Sequence, residues 1–122
     1  MNTIKIFLVA AGALAVTACG SAAVPADRLA RSEAAYRSAQ EMGAAQNPQA
    51  ALHLRLAEEQ LTTGKTLIKQ GDNERAESVL RRAEADAELA LSLARNDKAK
   101  AEATETMENV RKAKQAAETG GK

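Results

Sequence analysis

Cys19, His53, Tyr36 and the serines Ser32, Ser38, Ser78 and Ser92 are the side chains that nucleophilic, acid–base or metal chemistry would first draw on. Metal binding needs convergent donors. His53 is the sole histidine, and no cysteine, second histidine or carboxylate stands three or four residues from it, so its own helix face offers no ligand set. It reads as a histidine at a helix surface or interface, and no metal and no cofactor are expected. The serines sit inside helix-forming stretches rather than at a strand–turn–helix elbow, so none is placed as an activated nucleophile. Glu33 before Arg37, Glu77 before Arg81 and Glu108 before Lys112 each put acid four residues ahead of base, the pattern of a solvated helix face. No pair of carboxylates with divergent environments is indicated, and the glycines do not form a phosphate-cradling loop. The expectation is a protein that is not an enzyme and takes no small-molecule substrate.

The remaining reactive group is the single thiol of Cys19, and its setting is specific. Lys5 supplies a basic flank, Ile6 to Val16 is an apolar run, and Thr17 and Ala18 are small, the three-part layout of a secretory leader. A spanning helix needs about 20 apolar residues, so this run is too short to stay as an ordinary membrane span. Val16-Thr17-Ala18-Cys19 resembles the lipobox of bacterial lipoproteins, which implies cleavage after Ala18 and acylation of Cys19. At about 0.8 kcal/mol per buried CH₂, several acyl chains on one residue hold a protein to a bilayer where one chain holds it only marginally. A lone thiol in an exported chain has no intramolecular partner, and acylation removes its reactivity. By resemblance to lipoprotein sorting signals, Gly20 and Ser21 lack the aspartate of inner-membrane retention. The expected location is therefore the outer membrane, lipid-anchored and facing the periplasm.

Composition narrows what the tethered part can be. Of 122 residues, 104 remain past Ala18, enough for one small domain. Once Lys5 leaves with the leader, acids and bases balance, which gives no electrostatic case for nucleic acid. Trp is absent, and Tyr36 is the only aromatic outside the leader, so base stacking is excluded and the core must be thin. Ala, Leu, Glu, Lys, Arg and Gln crowd the chain from Asp27 onward and are strong helix formers.

These elements divide the chain into residues 1–18 as leader, 19–24 as lipidated cysteine and linker, 25–95 as an Ala-rich helical domain, and 96–122 as a polar helical extension with a flexible tail. Pro25 fits the first turn of a helix ending before Gly43. Asn47-Pro48 starts a second helix that Gly71 stops, and Asp72 caps a third directly afterwards, so the second and third fold back on each other. Leu54, Ala57, Leu61, Gly64 and Ile68 alternate spacings of three and four, as do Ala76, Leu80, Ala83, Ala87 and Ala90, forming two packing seams. Leu52, Leu56 and Leu67 make a second stripe, which predicts that the second helix is the middle one. Past Arg95 the seam fades through Asp97 and Glu108 while helix propensity stays high. The fold class is all-α, a small antiparallel helical hairpin or three-helix bundle with a long C-terminal helical extension.

Leu54-x-x-Ala57-Glu58-x-x-Leu61, Gly71-Asp72-x-x-x-Ala76 and Ala83-x-x-Asp86-Ala87-Glu88-Leu89-Ala90 together resemble the family called domain of unknown function 4398, from Pro25 to about Arg95. The resemblance implies a Gram-negative cell-envelope lipoprotein with an Ala-rich helical pair and no assigned reaction. Asn73 departs from it where an aromatic is commoner. Gly64, Leu67, Ala76, Leu80 and Ala83 also resemble the packing positions of one tetratricopeptide unit, but a solenoid usually needs three or more, and one is visible.

The functional expectation is a non-enzymatic envelope lipoprotein that joins a membrane, through its lipid, to another copy or an envelope protein partner. Two alternatives stand beside it. A lipid at one end, an Ala-rich rod and C-terminal Lys122 resemble the murein lipoprotein, which implies peptidoglycan attachment through Lys122. A tetratricopeptide-like periplasmic adaptor is the other.

Overall fold

The computed structural model describes residues 22–120. Helix α1 spans Ala26–Glu41, a single 3-10 turn spans Ala44–Gln46, α2 spans Pro48–Lys69 and α3 spans Asn73–Thr119. The described residues thus form three helices, the third of which continues far beyond the others.

Local chemistry sets the boundaries. Gly43 and Gly71 carry φ of 82° and 78°, a backbone region that costs glycine nothing, and each follows the last turn of a helix. Asn47 caps α2, its Oδ1 accepting from the Ala50 N–H at 2.8 Å with Pro48 in the first turn. Asp72 caps α3, its Oδ1 accepting from the Arg75 N–H at 3.3 Å. Only three residues separate α2 from α3, so the chain reverses and the two helices pack along their lengths.

Side-chain contacts give the directions. Ser32 lies beside Leu80, and Asn47 beside Asp97, so α1 runs parallel to α3 while α2 runs antiparallel to both. Both α1 and α2 lie chiefly against α3 and touch each other less. The middle position therefore belongs to α3. It does not belong to α2, as the second leucine stripe predicts: Leu67 is buried, Leu56 is half-buried and Leu52 is 49% exposed.

The core is a strip of small side chains. Ala39, Ala44, Ala50, Leu54, Ala90 and Ala94 pack at one end, Leu61, Leu80 and Ala83 at the centre, and Leu67, Ala76 and Val79 at the hairpin turn. Leu29, Tyr36 and Ile68 cover the central group. Alanine at these positions lets the helix axes approach closely, and Gly64 marks the tightest point: a Cβ there would lie 2.5 Å from Leu80 Cδ2 and 2.7 Å from Cγ. Cross-helix polar contacts add orientation. Ser32 is buried, its hydroxyl 2.8 Å from the carbonyls of both Arg28 and Leu80. Arg28 bonds Glu77 at 3.0 Å and also Glu84, and Lys65 bonds Glu33 at 2.6 Å.

Beyond Ala94 no residue of α3 is covered; Arg95 to Thr119 are all exposed. This overhang has no tertiary burial to hold it. It remains helical by propensity, on a nucleus already formed by the packed half of α3.

Candidate functional site

The sequence-derived positions fall into two groups. Cys19, the expected leader and Lys122 lie outside the described residues. Leu54, Ala57, Leu61 and Gly64 on α2 are buried, and Ile68 is half-buried. Ala76, Leu80, Ala83, Ala87 and Ala90 on α3 are buried as well. The two seams face each other inside the hairpin, so their apolar surface is used internally. Any partner would have to bind elsewhere.

Three features of the described surface bear on binding. At the start of α1 and α3 an open groove of about 660 Å³ runs between Val24, Arg28 and Arg31 on one side and Asn73, Glu77 and Arg81 on the other. Its charges alternate, and Arg28 is already engaged by Glu77 and Glu84. Those two carboxylates, Glu84 first, raise the pKa of the Arg28 guanidinium, so it is a fixed cation rather than a titrating one. On the α2–α3 face, Leu52, His53, Leu89 and Leu93 border a shallow apolar groove of about 340 Å³. The third feature is the overhang, where Met107 is 73% and Val110 54% exposed.

His53 and its surroundings show what spacing within one helix cannot reveal. Its Nδ1 lies 2.8 Å from Asp86 Oδ1 on α3, and Gln60 Nε2 donates to Asp86 Oδ2 at 2.8 Å. The partner is 33 residues away in sequence, so no i±4 rule could find it. One imidazole, one carboxylate and one amide form a structural clasp between α2 and α3. Among the described residues no group of three or more His, Cys, Asp or Glu is placed to hold a metal ion. Of the three acid–base spacings, Glu77 and Arg81 are 3.6 Å apart, whereas Glu33 turns to Lys65 on α2. Tyr36, between α1 and α2, accepts from Gln40 Nε2 at 3.1 Å. Burial first, and the nearby Glu58 carboxylate second, push its phenol above the ordinary value.

The N-terminal end of the described chain is positioned by Asn73. Its Nδ2 donates to the Ala22 carbonyl at 2.6 Å, which places residue 22 beside the start of α3. The overhang leaves the opposite end of the hairpin, because α1 and α3 run in the same direction. No described helix is long and apolar enough to cross a membrane.

The family described as Domain of unknown function (DUF4398) matches residues 27–106. The match runs past Arg95, so the family's extent includes the first part of the overhang as well as the hairpin. No curated protein and no solved structure matches the chain.

Proposed function

We propose that this chain, which belongs to the DUF4398 family, is a non-enzymatic cell-envelope lipoprotein: a helical interaction module held to a bilayer by acylated Cys19. The observation that carries the reading is Val16-Thr17-Ala18-Cys19 directly after an apolar run too short to remain a span. The fold is consistent with it. Residue 22 sits at the start of α3, three residues from the proposed anchor, and the exposed overhang leaves from the far end. A protein built this way presents a helical surface at a distance from its lipid. Gly20 and Ser21, without an aspartate, favour the outer membrane and a periplasmic orientation.

Mass spectrometry of the native protein is the test. The expected result is an N-terminal Cys19 carrying acyl chains and no leader. An unmodified thiol, or Met1 to Ala18 still attached, overturns the anchor.

A second reading is favoured by one feature. The 47 residues of α3 make a rod of about 70 Å at roughly 1.5 Å per residue, pointing away from the anchor end, and the chain reaches Lys122 soon after. Peptidoglycan attachment at Lys122 would use that reach. Digested cell walls would then contain a muropeptide joined to Lys122, and its absence under full peptide coverage ends this reading.

A further inference from the structure

We infer that the overhang of α3 pairs with the overhang of a second copy, antiparallel, about a two-fold axis near Glu108. The inference rests on the interaction-module reading and names its partner and orientation. Ala99, Ala103, Thr106, Val110, Ala113 and Ala117 alternate spacings of four and three, and all are exposed. This stripe departs from the buried seam of the same helix. Continuing the seam past Ala94 leads through Asp97 and Glu108, whereas the exposed stripe lies on the other side, free for a partner. Met107 flanks it and, with Val110, is one of the two exposed large apolar side chains of the overhang.

Charge selects both the occupant and its direction. Along the overhang, Arg95, Lys98 and Lys100, with Asp97 among them, are followed by Glu102, Glu105 and Glu108, then by Arg111, Lys112 and Lys114, then by Glu118. Parallel, in-register pairing of two copies sets each block beside itself, like against like. The antiparallel arrangement centred on Glu108 sets the acidic block of one copy against the second basic block of the other. The apolar layers close in the same register: Ala99 meets Ala117, Ala103 meets Ala113, and Thr106 meets Val110. On one flank Glu102 faces Lys112; on the other Met107 meets its own mate, and Lys100 lies between Lys114 and Glu118. One register thus closes the stripe, pairs the flanking methionine with its mate and sets Glu102 against Lys112, while Glu118 offsets the approach of Lys100 to Lys114.

Paired cysteines read the geometry directly. In the full chain carrying Cys19→Ala, purified in mild detergent, each added cysteine is the only thiol. Mixed Ala99→Cys and Ala117→Cys chains are expected to give the 99–117 disulfide on mild oxidation, and Met107→Cys is expected to link to itself. Ala99→Cys linked to Ala99→Cys would mean parallel pairing and overturns the inference, as does absence of any linkage at concentrations where Met107→Cys is tested. Glu102→Lys should weaken association several-fold in sedimentation, and adding Lys112→Glu should restore it; no recovery overturns the charge register. The outcome does not depend on lipid at Cys19, so it fails or survives separately from the anchor.

Discussion

Gly64 is where the alanine-lined hairpin leaves least room. The Cβ of an alanine there would meet Leu80 at its Cγ as well as Cδ2, and Leu80 is fully buried, so the side chain cannot swing aside without disturbing Ala83 and Leu61. Overpacking of this kind costs about 1–3 kcal/mol, against a helix-propensity gain of roughly 1 kcal/mol for replacing glycine. Gly64→Ala is therefore expected to lower the urea midpoint, and an unchanged or raised midpoint would show that Leu80 repacks freely. Tyr36 gives a second residue-level outcome. Its phenol is held above the ordinary value by burial and by Glu58, so the neutral form is favoured in the folded state. The contribution is fully present below the unfolded pKa and is lost as pH rises through the folded one. Because the chain has one tyrosine and no tryptophan, phenolate absorbance reports this group alone. The folded protein should ionise at higher pH than the urea-unfolded chain, and coincident titrations would contradict the packing around Tyr36.

At the scale of elements, Asn47 joins two helices: it caps α2 through Ala50 and donates its Nδ2 to Asp97 on α3. Asn47→Ala loses both contacts and is expected to cost about 1–2 kcal/mol in thermal or urea unfolding. Asn47→Asp keeps the cap acceptor yet faces Asp97 with a second carboxylate, so it should rescue less at pH 7 than an isolated cap would. An Asp variant as stable as the parent would show that the Asp97 contact is not formed in solution. Caps of this kind are why the helix ends were legible beforehand: Asn47-Pro48 and Gly71-Asp72 are local signals, and local signals survive in sequence. The order of packing was not. Leu52 and Leu56 suggest a neighbour for α2 that the fold does not supply, since α1 runs along α3 instead. Nor could spacing show Arg28 with Glu77 and Glu84, or His53 with Asp86, because each pair joins helices through a turn whose geometry, not its residue count, sets the register. The proposed anchor lies at the opposite extreme, being a linear signal contained in the contiguous stretch from Lys5 to Cys19.

The whole molecule divides by burial rather than by secondary structure, because α3 is continuous while its core contacts end at Ala94. Stability and reach are therefore carried by different parts of one helix. Removing the chain after Lys98 leaves the Asn47–Asp97 contact in place, deletes exposed residues and should leave the unfolding free energy within about 0.5 kcal/mol at a dilution where copies stay apart. The urea m-value should also hold, since it follows surface exposed on unfolding and the overhang buries almost none. Removing α1 instead strips Leu29, Tyr36 and Ala39 from the clusters around Leu61, Leu80 and Leu54, and leaves a hairpin too small to bury a sufficient core alone. That variant is expected to lose its cooperative transition. If the overhang deletion were the one to abolish cooperativity, the exposed half of α3 would be part of the folding unit. At higher concentration the same deletion has a second consequence. With the two-fold near Glu108, each anchor-proximal end lies roughly 50 Å from the axis at about 1.5 Å per residue, so paired copies would place their lipids on the order of 100 Å apart. A rod held at both ends lies along a bilayer, whereas one lacking residues beyond Lys98 is held at one end only. If Cys19 carries the proposed lipid, neutron reflectometry on a supported bilayer should therefore find a thin layer for the intact chain, and a layer near the full α3 length would exclude the flat, paired arrangement.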